Sequence, residues 1–160
     1  MLTGNVTVDI VNPGAYDISN VTPTIINAGG KLDSYFLHFD PVGTSQTVQQ
    51  VSGRIEFETE VIGIIITRSR LDASDPLLKA TSTLYPTGSD ASRGLEAGQY
   101  TDEITLSADK KIVDINIFYA NTGIDQVRIL TNPIPEPAFF QMGALAAMSG
   151  LGLLRLRRKS

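Results

Sequence analysis

The one histidine of the chain, His38, stands two residues before Asp40 in "LDSYFLHFDPVG". On a strand that spacing puts both side chains on one face with Phe36, while Asp33, Tyr35 and Leu37 take the other. A histidine beside a carboxylate can act as an acid–base couple or as a pair of ligands. There is no second histidine and no matching nucleophile to complete a catalytic set. We therefore expect a partly buried histidine, with Asp40 opening a turn at Pro41-Val42-Gly43.

Carboxylates are the other candidate chemistry. Asp33, Asp40, Asp72, Asp75, Asp90, Asp102 and Glu103 fall in or near expected loops, where oxygen ligands could gather around a structural calcium ion. None has the dense alternating spacing of a calcium loop, so no metal and no cofactor is expected. Glu56, Glu58 and Glu60 form a stripe at intervals of two, about 6.6–7 Å apart on a strand. Without a cleft between them they read as a solvated face, not as a glycosidase pair. Arg93-Gly94-Leu95-Glu96 and Asp125-Gln126-Val127-Arg128 each set an arginine three residues from an acid, and we expect ion pairs that close the fold. No enzyme is expected from any of these sets.

The elements that must position these residues are short strands. "NVTVDIV", "TPTIIN", "KLDSYFLHFD", "VQQVSGRIEFET", "EVIGIIITRS", "QYTDEITLS", "KIVDINIFYA" and "DQVRILT" are rich in β-branched residues and are separated by Gly, Pro, Asn, Asp and Ser. Ile55 and Phe57 alternate with Arg54, Glu56, Glu58 and Glu60. Val113, Ile115, Ile117 and Tyr119 are expected on one face, Asp114 and Asn116 on the other. "VIGIII" does not alternate and predicts a central strand covered on both sides. About eight strands with little helix signal predict an all-β fold, an antiparallel β-sandwich or jelly roll. Residues 71–98 read as a long excursion, with at most a helical turn at "DPLLK" that Asp75 caps and Pro76 starts.

The charges are unevenly divided. Residues 1–132 hold sixteen Asp/Glu and nine Lys/Arg, and from Pro133 onward there are one acid and four bases. The acidic body has no electrostatic attraction for nucleic acid. With no cysteine, disulfides and thiol chemistry are excluded. Residues 1–132 form the expected folded domain, 133–137 a proline-rich hinge, 138–154 an apolar segment and 155–160 a basic tail. The seventeen uncharged residues of 138–154 would span about 26 Å as a helix, close to the ~30 Å of a hydrocarbon core. Arg155, Arg157, Arg158 and Lys159 would stay on the cytoplasmic side and leave the body outside.

Pro135-Glu136-Pro137, then an apolar span, then a terminal arginine cluster together resemble the PEP-CTERM sorting signal of Gram-negative bacteria. The resemblance covers about 26 residues. It implies that Pro135, Glu136 and Pro137 are the recognition motif of exosortase, a membrane-embedded transpeptidase-like enzyme. It also implies transient anchoring through a transmembrane helix, then delivery to the cell surface or to an exopolysaccharide biofilm matrix. "DSYFLHFDPVG", "IEFETEVIGII", "SRGLE" and "GIDQVRILT" are loosely similar to a passenger type of that family and support a fold more than a function. Members are exported, whereas "MLTGNVTVDIVNPGAY" has no basic, apolar and small-residue leader. We expect such a leader to lie upstream of Met1. Two alternatives stand beside a non-catalytic surface protein. One is an exopolysaccharide-binding module with Tyr35, Tyr85, Tyr100 and Tyr119 as its stacking platform, and the other is a permanently anchored single-span protein.

Overall fold

In a computed structural model of the chain the described residues are 1–39, 49–80, 82–85, 93–96, 101–120 and 124–135, except for the side chains of Ile117, Tyr119 and Ala120. The protein is mostly β, with antiparallel sheets and one helix among the described residues. In chain order the elements are β1 (Val6–Val8), β2 (Gly14–Tyr16), β3 (Thr24–Ile26), β4 (Asp33–Phe39), β5 (Gln49–Glu56), β6 (Val61–Ile65), α1 (Arg68–Leu78), β7 (Glu103–Leu106), β8 (Ile112–Ala120) and β9 (Asp125–Thr131). The eight expected strands are all found. The three-residue β2 comes in addition, too short in "NPGAY" to show alternation.

Three sheets build the body, ordered β2-β7-β8-β5, β4-β9-β6 and β1-β3. The four-stranded and three-stranded sheets share one apolar layer, in which Ile104, Leu106, Val113 and Phe118 meet Ile64, Val127 and Ile129. A second apolar cluster lies on the opposite face of β4-β9-β6, where Ile65 and Leu130 pack with Val6, Val8 and Leu71. Strand β9 is therefore buried at all seven positions. Each fully buried Ile, Leu or Val contributes roughly 1.5–3 kcal/mol. Gly63 is required where these layers press together, because a Cβ there would stand 2.8 Å from Val8 Cγ1.

Three expectations are corrected. Strand β6 is not central: it lies beside β9 at the edge of its sheet, and its outer side is extended by a bridge from Ile64 to Ile10. Its unbroken apolar run reflects two covered faces, with Ile64 and Ile66 in one cluster and Ile65 in the other. Strand β8 does not keep one parity. Its pairing slips by a residue between Ile115 and Phe118 against both neighbours, a bulge. Val113 and Ile115 thus face the shared core before the slip, and Phe118, 2 % exposed, faces it after.

The third correction is α1, an eleven-residue helix where only a turn at "DPLLK" is expected. Its buried positions are Leu71, Ser74 and Asp75, so polar residues occupy the stripe that apolar ones would mark. Its N-cap residue, Thr67, makes no side-chain cap. That role falls to Asp9, whose buried carboxylate accepts from the Ile66 and Thr67 amides at 2.7 and 2.8 Å and pairs with Arg70. A carboxylate there satisfies free amides and complements the helix dipole. Pro76 lies inside the helix, not at its start. Lacking an N–H, it cannot continue the ladder, and α1 ends two residues later.

Among the described residues no helix is long and apolar enough to cross a membrane. Glu136, Pro137, the segment 138–154 and the basic residues Arg155, Arg157, Arg158 and Lys159 lie outside the described residues. So does Asp40.

Candidate functional site

The α1-facing side of β4-β9 carries Ser34, Phe36 and His38 directly opposite Leu130, Arg128 and Gln126. Two of these, Gln126 and Arg128, are buried polar residues in the innermost strand. Arg93, from the strap of residues 93–96, joins them and is 3 % exposed. Its Nε donates to Gln126 Oε1 at 2.6 Å. Its Nη1 donates to Asp72 and, at 2.7 Å, to Asp75, and its Nη2 reaches the other Asp75 oxygen at 3.0 Å. Arg128 Nη2 donates to Asp75 Oδ1 at 2.6 Å, and Nη1 to Ser34 Oγ at 3.3 Å. Asp75 is thus clasped by two guanidiniums.

Aromatic rings close the cluster. Phe36 and Tyr85 stand 4.4 Å apart between centroids, and both arginines lie 5.1–5.8 Å from both rings. Guanidinium over an aromatic face is an attractive contact. The two cations and two anions balance. Burial pulls both arginines down, but in Arg93 the hydrogen bonds from Asp75 and Asp72 outweigh it and the net shift is upward. In Arg128 burial prevails over the Asp75 carboxylate and the Tyr85 hydroxyl, and its pKa is lowered.

Both arginines that sequence spacing singled out are therefore in ion pairs, but the expected partners are corrected. Neither Glu96 nor Asp125 pairs with its neighbour at three residues. On a strand, residues three apart point to opposite faces, so Arg128 meets the helix while Asp125 faces the other way. The effective partner, Asp75, is expected from sequence as a turn cap or a candidate oxygen ligand, not as a partner of either arginine.

His38 lies on the face assigned from sequence but is exposed, not partly buried, because β4 is an edge strand. Its Nδ1 is 3.0 Å from Gln126 Nε2. Since Gln126 Oε1 accepts from Arg93, the Gln126 amide nitrogen is the group that can donate to His38 Nδ1. Tyr35 meets Phe57 on the face opposite Tyr85, so these two tyrosines do not form one platform. Tyr100 and the Tyr119 side chain lie outside the described residues. Glu56, Glu58 and Glu60 are exposed. Arg54 spans the sheet to Asp114, donating at 2.7 and 3.0 Å.

At the other end of β9 is an acidic group that sequence reading does not assemble. Asp102 Oδ2 accepts from the Glu96 amide at 2.7 Å, and the Asp102 amide donates to Glu96 O at 3.2 Å. This tie fastens the strap ahead of β7. Asp125 is 2 % exposed and its Oδ2 has no hydrogen-bond partner. Burial first, then the charges of Asp102 and Glu96, push its carboxyl from 3.8 up to about 8. Among the described residues no group of three or more His, Asp or Glu is arranged to hold a metal ion. Asp72 and Asp75 share Arg93, Asp33, Asp102 and Glu103 are in hydrogen bonds elsewhere, and Asp90 lies outside the described residues.

The strap depends on Gly94, whose φ is +98° and where a Cβ would fall 2.6 Å from Ile66 O. Leu95 N donates to that same oxygen at 2.8 Å. Gly94→Ala is expected to cost roughly 1–3 kcal/mol through left-handed strain and displacement of the strap. Urea denaturation would read this as a lower midpoint at unchanged slope.

Sequence could have flagged Asp9, a charge within the apolar run "VTVDIV". The same holds for Gln126 and Arg128 in "DQVRILT", where apolar residues occupy both faces. Comparison of the chain with protein-family models, curated proteins and solved structures finds no match.

Proposed function

We propose that the chain is an exported, non-catalytic β-sandwich protein of the cell surface or extracellular matrix, delivered by its C-terminal segment. The observation that carries this reading is the order Pro135-Glu136-Pro137, an uncharged run of seventeen residues, then Arg155, Arg157, Arg158 and Lys159. The apolar run stops transfer through the inner membrane, and the bases fix orientation. The extended proline motif presents itself to exosortase on the outer side, as the resemblance implies. The body is then released or retained with exopolysaccharide.

A structural role for the body is supported by how its buried polar groups are used. Arg93, Arg128, Asp72, Asp75 and Gln126 bind one another. His38 lies beside the Gln126 amide.

The test is intact mass and terminal peptide mapping of native protein from fractionated producer cells. A C-terminus near Pro137 in the surface or extracellular fraction is expected. Glu136→Ala, or removal of the four terminal bases, is expected to leave unprocessed protein in the membrane fraction. An intact Ser160 in wild type confined to membranes would replace this reading with a permanent single-span anchor.

A further inference from the structure

The exit of the chain from the body is held in place. Asn132 N donates to Glu60 O at 2.9 Å, Thr59 Oγ1 donates to Asn132 O at 2.5 Å, and Ile134 N donates to Asp33 Oδ2 at 3.2 Å. The backbone is thus tied as far as Ile134, and Ala138 can lie at most about 11 Å from Pro135. Whatever holds 138–154 also holds this end of the domain close to it.

This end has its own character. Met1, Lys31, Leu32, Ile134 and Pro135 line an open groove of about 570 Å³. A smaller pocket that shares Met1 and Leu32 adds Leu77, Leu78 and Lys79. Met1 is 88 % and Ile134 48 % exposed. The β7–β8 turn lies at the same end, because Val61 pairs with Thr131 and its amide donates to Lys110 O. All four lysines of residues 1–135, Lys31, Lys79, Lys110 and Lys111, therefore gather here, beside Asp33, Glu56, Glu58, Glu60 and Asp109. Asp125, Asp102 and Glu96 lie at the opposite end of β9, six residues or about 20 Å away.

We propose that the Met1–Leu32–Ile134 end is a membrane-contact face, resting on the lipid headgroups of the bilayer that holds 138–154. This rests on the reading of the tail as membrane-inserted. Apolar side chains enter the headgroup boundary, the lysines meet anionic lipid, and the end that carries all four lysines is the one that can approach a negative surface. The acidic end is turned outward.

The chain contains no tryptophan, so single tryptophans report cleanly. Full-length Ile134→Trp, Ala108→Trp and Val51→Trp proteins would be reconstituted into phosphatidylcholine–phosphatidylglycerol vesicles carrying a headgroup nitroxide. Ala108 is exposed on the β7–β8 turn. Val51 is exposed towards the other end, opposite Phe118. Quenching of the Ile134→Trp and Ala108→Trp proteins several-fold above that of the Val51→Trp protein is the expected result. If the Ile134→Trp protein is quenched while the Ala108→Trp protein matches Val51→Trp, the body swings free on its tether and the contact face is overturned, with tail insertion intact. If the protein does not float with the vesicles, both readings fall.

Discussion

Asp75→Ala is expected to cost about 3–5 kcal/mol, a large share of the stability of a domain this size. The reason is the company Asp75 keeps. Its two oxygens accept from Arg93 and Arg128, whose side chains are 1 % and 0 % exposed. Removing the carboxylate strands two cations in a region closed to solvent, and breaking one side of a buried pair carries a penalty of that size. Asp72 still reaches Arg93, but Arg128 would keep no carboxylate, with Ser34, the Tyr85 hydroxyl and the two aromatic faces as its described partners. A domain of this size has about 5–15 kcal/mol in total. Asp75→Asn keeps the volume and one acceptor and should fall between alanine and wild type. Urea denaturation followed by circular dichroism would measure both, and a loss below about 1 kcal/mol for the alanine variant would contradict the account.

The second large effect is a stability that declines as pH rises. Asp125 carries a folded-state pKa of about 8 against an ordinary 3.8, so the folded protein holds this proton more tightly than the unfolded chain. The contribution is complete below about pH 4, shrinks as pH rises, and is gone once pH passes about 8. The separation sets a ceiling of roughly 5–6 kcal/mol on the total change. Asp17, Asp109 and Asp114 act in the opposite sense, since hydrogen bonds to Ser19, Ser107 and Arg54 lower their pKa values. Their stabilisation disappears only as pH falls below the ordinary carboxylate range, so of these four carboxylates Asp125 alone acts between about pH 5 and 9. Asp125→Asn cannot ionise and is expected to flatten the profile and to exceed wild type in stability at about pH 9. Parallel profiles for the two proteins would remove Asp125 as the cause.

Most of the strand inventory was legible, because alternation in "SGRIEFETE" follows from one covered face and the other runs are rich in β-branched and aromatic residues. The exceptions have local causes. The bulge in β8 exchanges faces partway along the strand, and no residue type in "DINIF" announces it. Helix α1 hides because Ser74 and Asp75 fill its buried stripe, and because its cap, Asp9, is fifty-eight residues from Thr67. The arginines of the polar cluster could be picked out by their setting, but not their partners. Arg93 and Arg128 reach Asp75 across eighteen and fifty-three residues, separations that only the stacking of α1 on β9 creates. The acidic group at Asp125 was invisible for the same reason. The tail is the reverse case, since its reading comes wholly from the order of residues.

The burial of β9 on both faces also has a mechanical meaning. A pull applied through the C-terminal tether enters the body at Thr131 and runs along β9, which is flanked by antiparallel β4 and β6. Ladder hydrogen bonds lie across the strand, so the load is carried in shear by both ladders at once instead of unzipping one bond after another. Once the ties at Ile134 and Asn132 give way, the most deeply enclosed strand takes the load, and the body is braced against tension applied at this end.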